Sequence, residues 1–468
     1  MKKTSDIIKN EESAMEITSF LTSVEIQQSS AKLLQPIYHG DQPVSTTMFV
    51  PLNVFDRLSD DIYISMLYAY KPPNPSNTLL EQGLRKTLSE YREWAGRFGE
   101  DEIGQTIILL NDQGMSFTEA SANCTLDQAF PFTTPILLKL SPNFEGVEEL
   151  AAVQLTRFTC GSLVLSFSAQ HIVADGQSVS HFMISWAQAC RGLDIHPLPL
   201  CNRNIFVPRN PFNIEFDHRS VEIVKRKISK YSIPLPYAED DLVQQILHCT
   251  PEFIAKIKNK ASFSPGSSFS DVNGGCKPPY STFVCLAAHL WTVITRVRGL
   301  DDSQTTYVKI SVNGRRRLRP PIPDEYFGNM ILCAFSETQA KNLYEEPLSH
   351  IAKIVQEEVT KVDDNYFKSY IDFANKNLKD DGLTPRKADP LSVPSCWPNL
   401  EINSWLGFTF NDVDFGTGKP FICIPSFDPL EGETYVVPST VNDKSIDVYI
   451  TLFQQQQALF KEMFYNID

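Results

Sequence analysis

The chain has 468 residues, 42% of them hydrophobic and 21% charged, the balance of a globular protein long enough for two cores. A formal net charge of −14 argues against a nucleic-acid partner, which would need a basic face, and disfavours an anionic membrane surface. Ten scattered cysteines, with no C-x-x-C pair and no zinc-ligand spacing, read as reduced thiols of a cytoplasmic protein and give no metal site.

Residues 1–14 mix both charges and lack an apolar run, so they read as a polar tail rather than a leader. Met15 opens the first predicted strand, MEITSFLTSVEI. A second, IYISMLYAYKPP, covers 62–73; alternation puts Tyr63 and Tyr68 on opposite sides. Leu79, Leu80, Leu84, Leu88 and Trp94 recur at helical spacing and predict a helix over 78–98. Residues 151–170 read mainly as strand. After Asp175-Gly176, Val179, Phe182, Met183, Trp186, Ala187 and Cys190 form one apolar stripe on a helix that Arg191-Gly192 ends. Prolines make 195–236 an irregular connection, dividing a first domain (15–194) from a second (237–468). A Ser- and Gly-rich loop spans 262–279, a helix 281–299 and a strand 306–313. The remainder reads as strands and turns until a last helix, QQQALFKEMFYN. Strand and helix thus alternate, which makes the fold class α/β. No apolar run is long enough to span a bilayer.

Three stretches carry side chains able to do chemistry. In LSFSAQHIVADGQ, 165–177, His171 stands where a strand stops and a helix is about to begin. An imidazole there lies at an edge, and with an ordinary pKa near ~6.5 it can accept a proton at neutral pH. Asp175, four residues on, has two readings: it orients the imidazole, or it caps the helix or pairs with a distant cation. In VNGRRRLRPPIPDEYFGN, 312–329, four arginines crowd Arg315–Arg319. An acidic chain offers such residues buried, bidentate carboxylate partners. In NDVDFGTGKP, 411–420, Asp414 opens a glycine turn. No H-R-D and no phosphate-binding glycine loop accompanies it, so a kinase reading fails. His181 and His289 fall inside helices and read as packing or solvated residues.

HIVADG and DFGTG resemble the H-x-x-x-D-G and D-F-G-W-G signatures of the plant BAHD acyl-CoA-dependent acyltransferases. YSTFVCLAAHLW (280–291) and PPIPDEYFGN (320–329) also look like family segments, in the family's order. The resemblance covers about residue 16 to the end. It implies two similar α/β domains related to chloramphenicol acetyltransferase, with a channel between them reached by CoA from one face and the acceptor from the other. It implies that His171 is the general base, that no acyl-enzyme forms, and that no metal or resident cofactor is needed, acyl-CoA being a co-substrate. By the same resemblance Asp175 pairs with Arg315, and Asp414 holds a loop. Trp405, nine residues before Asp414, matches a family tryptophan; its indole N–H is a candidate oxyanion donor, the alternative being a core tryptophan.

Thr417 stands where the signature has tryptophan. Together with ISVNGRRRL, YREWAGRF and WAQACRGLDI, it looks like the branch that acylates agmatine, putrescine and tryptamine with hydroxycinnamoyl groups. Members that use agmatine carry Glu-x-Asp-Ser-Trp before the tryptophan; this chain has Glu401, Asn403 and Trp405, which share one face if the segment is a strand. Glu401 is then a candidate for holding an acceptor's cation, and Asn403 removes one charge from the site. Tyr68 is a candidate pocket residue. Lys277, Ser281 and Thr282 are candidates for the CoA phosphates. The expected activity is hydroxycinnamoyl transfer to an amine by a cytoplasmic monomer. The alternatives are O-acylation of an alcohol such as shikimate or quinate, and a non-catalytic acyl-CoA-binding relative.

Overall fold

The computed structural model describes residues 24–38, 48–130, 132–144, 146–218, 242–262, 279–377, 396–425 and 430–467. The polar tail and nearly all of the first predicted strand lie outside them, as do Lys277 and most of the Ser/Gly-rich loop.

Two main sheets carry the molecule. The first holds β1 (Ile26–Gln28), β2 (Lys32–Leu34), β4 (Tyr63–Tyr70), β7 (Met115–Ala122), β8 (Ala151–Arg157), β9 (Leu163–Gln170) and β14 (Ile422–Pro425), in the order β1-β7-β8-β9-β4-β14, with β2 also on β7. Only β7 and β8 pair in parallel. The second holds β10 (Leu242–Cys249), β11 (Thr305–Asn313), β12 (Ile331–Gln339), β13 (Leu400–Ser404), β15 (Glu433–Pro438) and β16 (Ile446–Phe453), in the order β10-β16-β15-β13-β11-β12. Here β13 runs parallel to both neighbours. A small third sheet pairs β3 (Phe49–Pro51), β6 (Thr106–Leu109) and β5 (Arg97–Glu100). Sheet membership does not follow chain order, because β14 from the C-terminal half edges the first sheet against β4.

Each sheet has its own core. In the first, α1 (Asn77–Leu88) and α4 (Gly176–Cys190) pack together. All six residues of the α4 stripe, Val179 to Cys190, are buried there. The helix starts where it does because the Asp175 side chain accepts the Ser178 N–H at 3.0 Å. Among the described residues, the α-helices between α1 and α4 are the short α2 (Leu126–Ala129) and α3 (Thr134–Lys139). In the second, Val308, Ile310 and Val312 of β11 are buried in one core with residues of helices α5 (Pro251–Ser262) and α6 (Thr282–Arg298). Lys309 and Ser311 alternate onto the opposite face. Gly299, left-handed at φ 60°, closes α6.

Three sequence expectations change. The predicted helix over 78–98 stops at Leu88; Trp94 sits in a separate short turn, Arg92–Ala95, and is buried against Phe167, Phe182 and Phe327. The stretch expected to be strand and turn after residue 313 contains three helices: α7 (Ala340–Glu345), α8 (Leu348–Lys361) and α9 (Asp364–Lys376). Tyr68, expected to line a pocket, is fully buried in the first core. Alternation fails to expose it because β9 and β14 flank β4 and residues 66–70 are covered on both sides. The last helix, α10 (Gln454–Tyr465), lies where expected. No helix among the described residues is long and apolar enough to cross a membrane.

Candidate active site

His171 follows the last residue of β9 directly, and its N–H donates to the Ile62 carbonyl of the neighbouring strand at 2.9 Å. The chain then turns over four residues into α4. Polar groups from distant parts of the sequence grip that turn. The Asn329 side-chain amide donates to the carbonyls of His171, at 2.8 Å, and of Ile172, at 3.0 Å. Arg203, from the irregular connection, donates to the Val173 carbonyl at 2.6 Å. The residue is partly exposed, while its Nδ1 is buried and has no hydrogen-bond partner among the described residues. What solvent reaches of the imidazole therefore lies away from Nδ1.

Asp175 does not serve the imidazole as a hydrogen-bond partner. Its carboxylate meets the Arg315 guanidinium twice, at 2.7 and 3.0 Å, and also accepts the N–H groups of Ser178 and Met330 at 3.0 Å each. Arg315 is wholly buried and donates further to Ser178 Oγ and to the carbonyls of Tyr326 and Gly328. This ion pair ties the start of α4 to the segment between β11 and β12, and so joins the two halves of the chain. Asp414 acts locally: its carboxylate accepts the N–H groups of Gly416 and Gly418 at 2.8 and 2.9 Å. Partial burial opposes its ionisation, but those N–H groups and Arg191 outweigh it and hold the carboxyl below the usual carboxylate range. Both glycines take positive φ, 105° and 120°, which a side chain would strain.

Trp405 is 8% exposed and packs on Phe410 and Tyr435, with ring centroids 4.9 and 5.1 Å away. Its Nε1 lies 3.7 Å from where a Cβ on Gly176 would stand, so the indole N–H edge faces the first turn of α4. Glycine there lets the helix start come this close to Phe408 and the indole. Two residues back along the chain, Asn403 accepts from Ser311 Oγ at 2.7 Å. Two further back, both Glu401 oxygens lie 3.1 Å from Lys309 Nζ on the parallel strand β11. Burial disfavours the Lys309 ammonium, but Glu401 overrides it and the group titrates well above an ordinary lysine. Beyond Ser311, Asn313 donates to Gln177 of α4. One face of the second sheet thus carries a polar row, Lys309–Glu401, Ser311–Asn403 and Asn313–Gln177, leading to the helix that His171 precedes.

The structure brings His171, Asp175, Arg315 and the Trp405 indole edge around the start of α4. It sets Glu401 and Asn403 along the row and leaves Tyr68 in the core. Ser281 caps α6, its hydroxyl accepting the Val284 N–H at 3.2 Å, and Thr282 is that helix's first residue. His289 is buried, its Nε2 on the Phe464 carbonyl at 2.8 Å; His181 is half-buried, and burial and Arg315 push its imidazole down. Sequence reasoning missed Lys309, Gln177, Arg203 and Asp56. Their partners lie tens to hundreds of residues away, so no local pattern marks them. Asn329 sat unremarked inside a quoted motif.

A family model described as "Transferase family" matches residues 35–467. "Agmatine coumaroyltransferase-1" of Hordeum vulgare is 42% identical over 95% of this chain and 100% of its own length. "Putrescine hydroxycinnamoyltransferase 3" of Oryza sativa subsp. japonica is 36% identical, over 95% and 100%. Among solved structures, F. graminearum TRI101 complexed with coenzyme A and deoxynivalenol superposes with a TM-score of 0.71 at 17% identity, covering 88% of this chain and 96% of that one. The chain belongs to the Transferase family, the BAHD acyl-CoA-dependent acyltransferases that its two signature motifs resemble.

Proposed function

We propose that the protein moves a hydroxycinnamoyl group from a CoA thioester to an amine, giving an amide and free CoA. The observation that carries this reading is the imidazole of His171: partly open, fixed at the junction of the two halves, in a chain whose relatives are named for agmatine and putrescine. The nucleophile is the free amine, since an ammonium has no lone pair. As its nitrogen bonds to the thioester carbonyl carbon, His171 takes the N–H proton. The carbonyl oxygen becomes an oxyanion, and the Trp405 indole N–H is the donor assigned to it. Collapse breaks the carbon–sulfur bond, and the thiolate leaves with the proton held on His171. No acyl-enzyme forms and no metal takes part. The CoA phosphates are assigned to the region of Ser281, Thr282 and Lys277, the last outside the described residues. We read the protein as a cytoplasmic monomer of two domains.

Glu401 is assigned to the acceptor end, with Asn403 beside it. Lys309 already occupies that carboxylate, which favours a second reading, a neutral acceptor such as an alcohol. An acceptor panel with coumaroyl-CoA separates the two. Amides of putrescine, agmatine or tryptamine support N-acylation; esters of shikimate or quinate, without amides, support the alternative. CoA binding with no product from any acceptor supports a non-catalytic relative.

A further inference from the structure

A histidine base is usually oriented through its second ring nitrogen by an acid or a carbonyl. His171 lacks that support: among the described residues Nδ1 has no hydrogen-bond partner, and the nearby Asp175 is spent on Arg315. With no hydrogen bond holding that nitrogen, the placement of the backbone that bears the ring decides its aim. Three successive carbonyls of that backbone, those of His171, Ile172 and Val173, accept hydrogen bonds from just two side chains, Asn329 and Arg203. Both are anchored on one carboxylate. Asp56 Oδ1 accepts the Asn329 backbone N–H at 2.9 Å and its side-chain amide at 3.0 Å. Asp56 Oδ2 accepts Arg203 Nη1 at 2.6 Å and the Asn53 N–H at 2.8 Å. Asn53 in turn caps the turn that carries Asp56 and bonds Tyr326 Oη at 2.6 Å. Every member is at least nine-tenths buried.

We propose that Asp56 is a positioning residue for the reaction, acting through Asn329 and Arg203 to fix the turn that aims the His171 ring. The hub draws on three separate parts of the chain: the segment before β4, the irregular connection and the segment before β12. It fastens all of them to the one turn whose placement decides where the imidazole points. A low-dielectric setting strengthens each charged contact in it. The adjacent residue, Met330, donates to Asp175, so the same short segment fixes both ends of the turn.

The inference rests on His171 being the base, and the test separates the two claims. Asn329→Ala removes the amide that holds two carbonyls, without stranding a buried charge. We expect kcat to fall by up to about 10²-fold, the scale of a small misplacement of a reacting group. KM for acyl-CoA and amine should stay within about threefold, with the variant folded at the assay temperature. In a His171→Ala background the same change should cost less than about twofold, because the group it positions is gone. A folded Asn329→Ala enzyme with full kcat overturns the proposal, as does an equal loss in both backgrounds. If Asn329→Ala fails to fold, Asn329→Ser, which leaves a smaller cavity, is read by the same criteria, and Asp56→Asn should show the same kcat-selective loss. Retained activity in His171→Ala alone overturns the base, not the hub.

Discussion

Asp175 and Arg315 lie 140 residues apart and meet through two hydrogen bonds of 2.7 and 3.0 Å, both side chains almost wholly buried. The pair closes the start of α4 onto the β11–β12 connection. It also explains why an acid four residues beyond a histidine need not touch it. Removing one partner leaves the other charged, buried and unpaired, which costs about 3–5 kcal/mol. Asp175→Ala should therefore lower the melting temperature and the soluble yield. Unchanged melting with lost turnover would mean that the carboxylate serves the chemistry instead.

Trp405→Phe keeps an aromatic ring beside Phe410 and Tyr435 and deletes the indole N–H, with some loss of ring volume. Loss of an oxyanion donor lowers kcat by about 10²–10³-fold. That loss should appear with KM for acyl-CoA unchanged and melting little altered. A variant with normal kcat would reduce Trp405 to a packing residue.

Lys309 and Glu401 form a half-buried pair on adjacent strands, so Glu401 reaches an acceptor cation only in competition with Lys309. Lys309→Met should free the carboxylate and lower KM for putrescine or agmatine, each with a second cationic group, by about tenfold. A charge-assisted hydrogen bond of ~1.5–3 kcal/mol sets that scale. Glu401→Gln should raise the same KM, and tryptamine, with no second cation, should respond little to either change. Equal effects on all acceptors would reject the clamp.

Burial pushes the His289 imidazole down to about 4, and its Nε2–H donates to the Phe464 carbonyl. In the unfolded chain the group titrates near ~6.5. The folded state thus favours the neutral ring. Its contribution, up to about 3 kcal/mol, is complete above pH ~6.5 and is lost as pH falls through about 4. Melting temperature measured from pH 7 to 4 should fall less steeply in His289→Gln than in the parent. Parallel curves would contradict this.

Much of the fold was legible because one element packs one face. The α4 stripe follows from helical spacing, and its bounds from the Asp-Gly and Arg-Gly pairs at its two ends. The helix over 78–98 was overextended because Trp94 happens to fall in helical phase, while its ring belongs to a different aromatic cluster. α8 carries Leu348, Ile351, Ala352 and Val355 at the same spacing, yet the stretch after residue 313 read as strand and turn. At the site, His171 announced itself by sitting where a strand ends. Lys309 and Asp56 did not, because their meaning comes from partners 92 and 273 positions away.

The base is tested most directly by single-turnover kinetics of His171→Ala with coumaroyl-CoA and a saturating amine. The expected result is amide formation slowed by about 10²–10⁴-fold, the worth of a positioned base, with acyl-CoA affinity and melting temperature unchanged. Turnover within a few fold of the parent would contradict it.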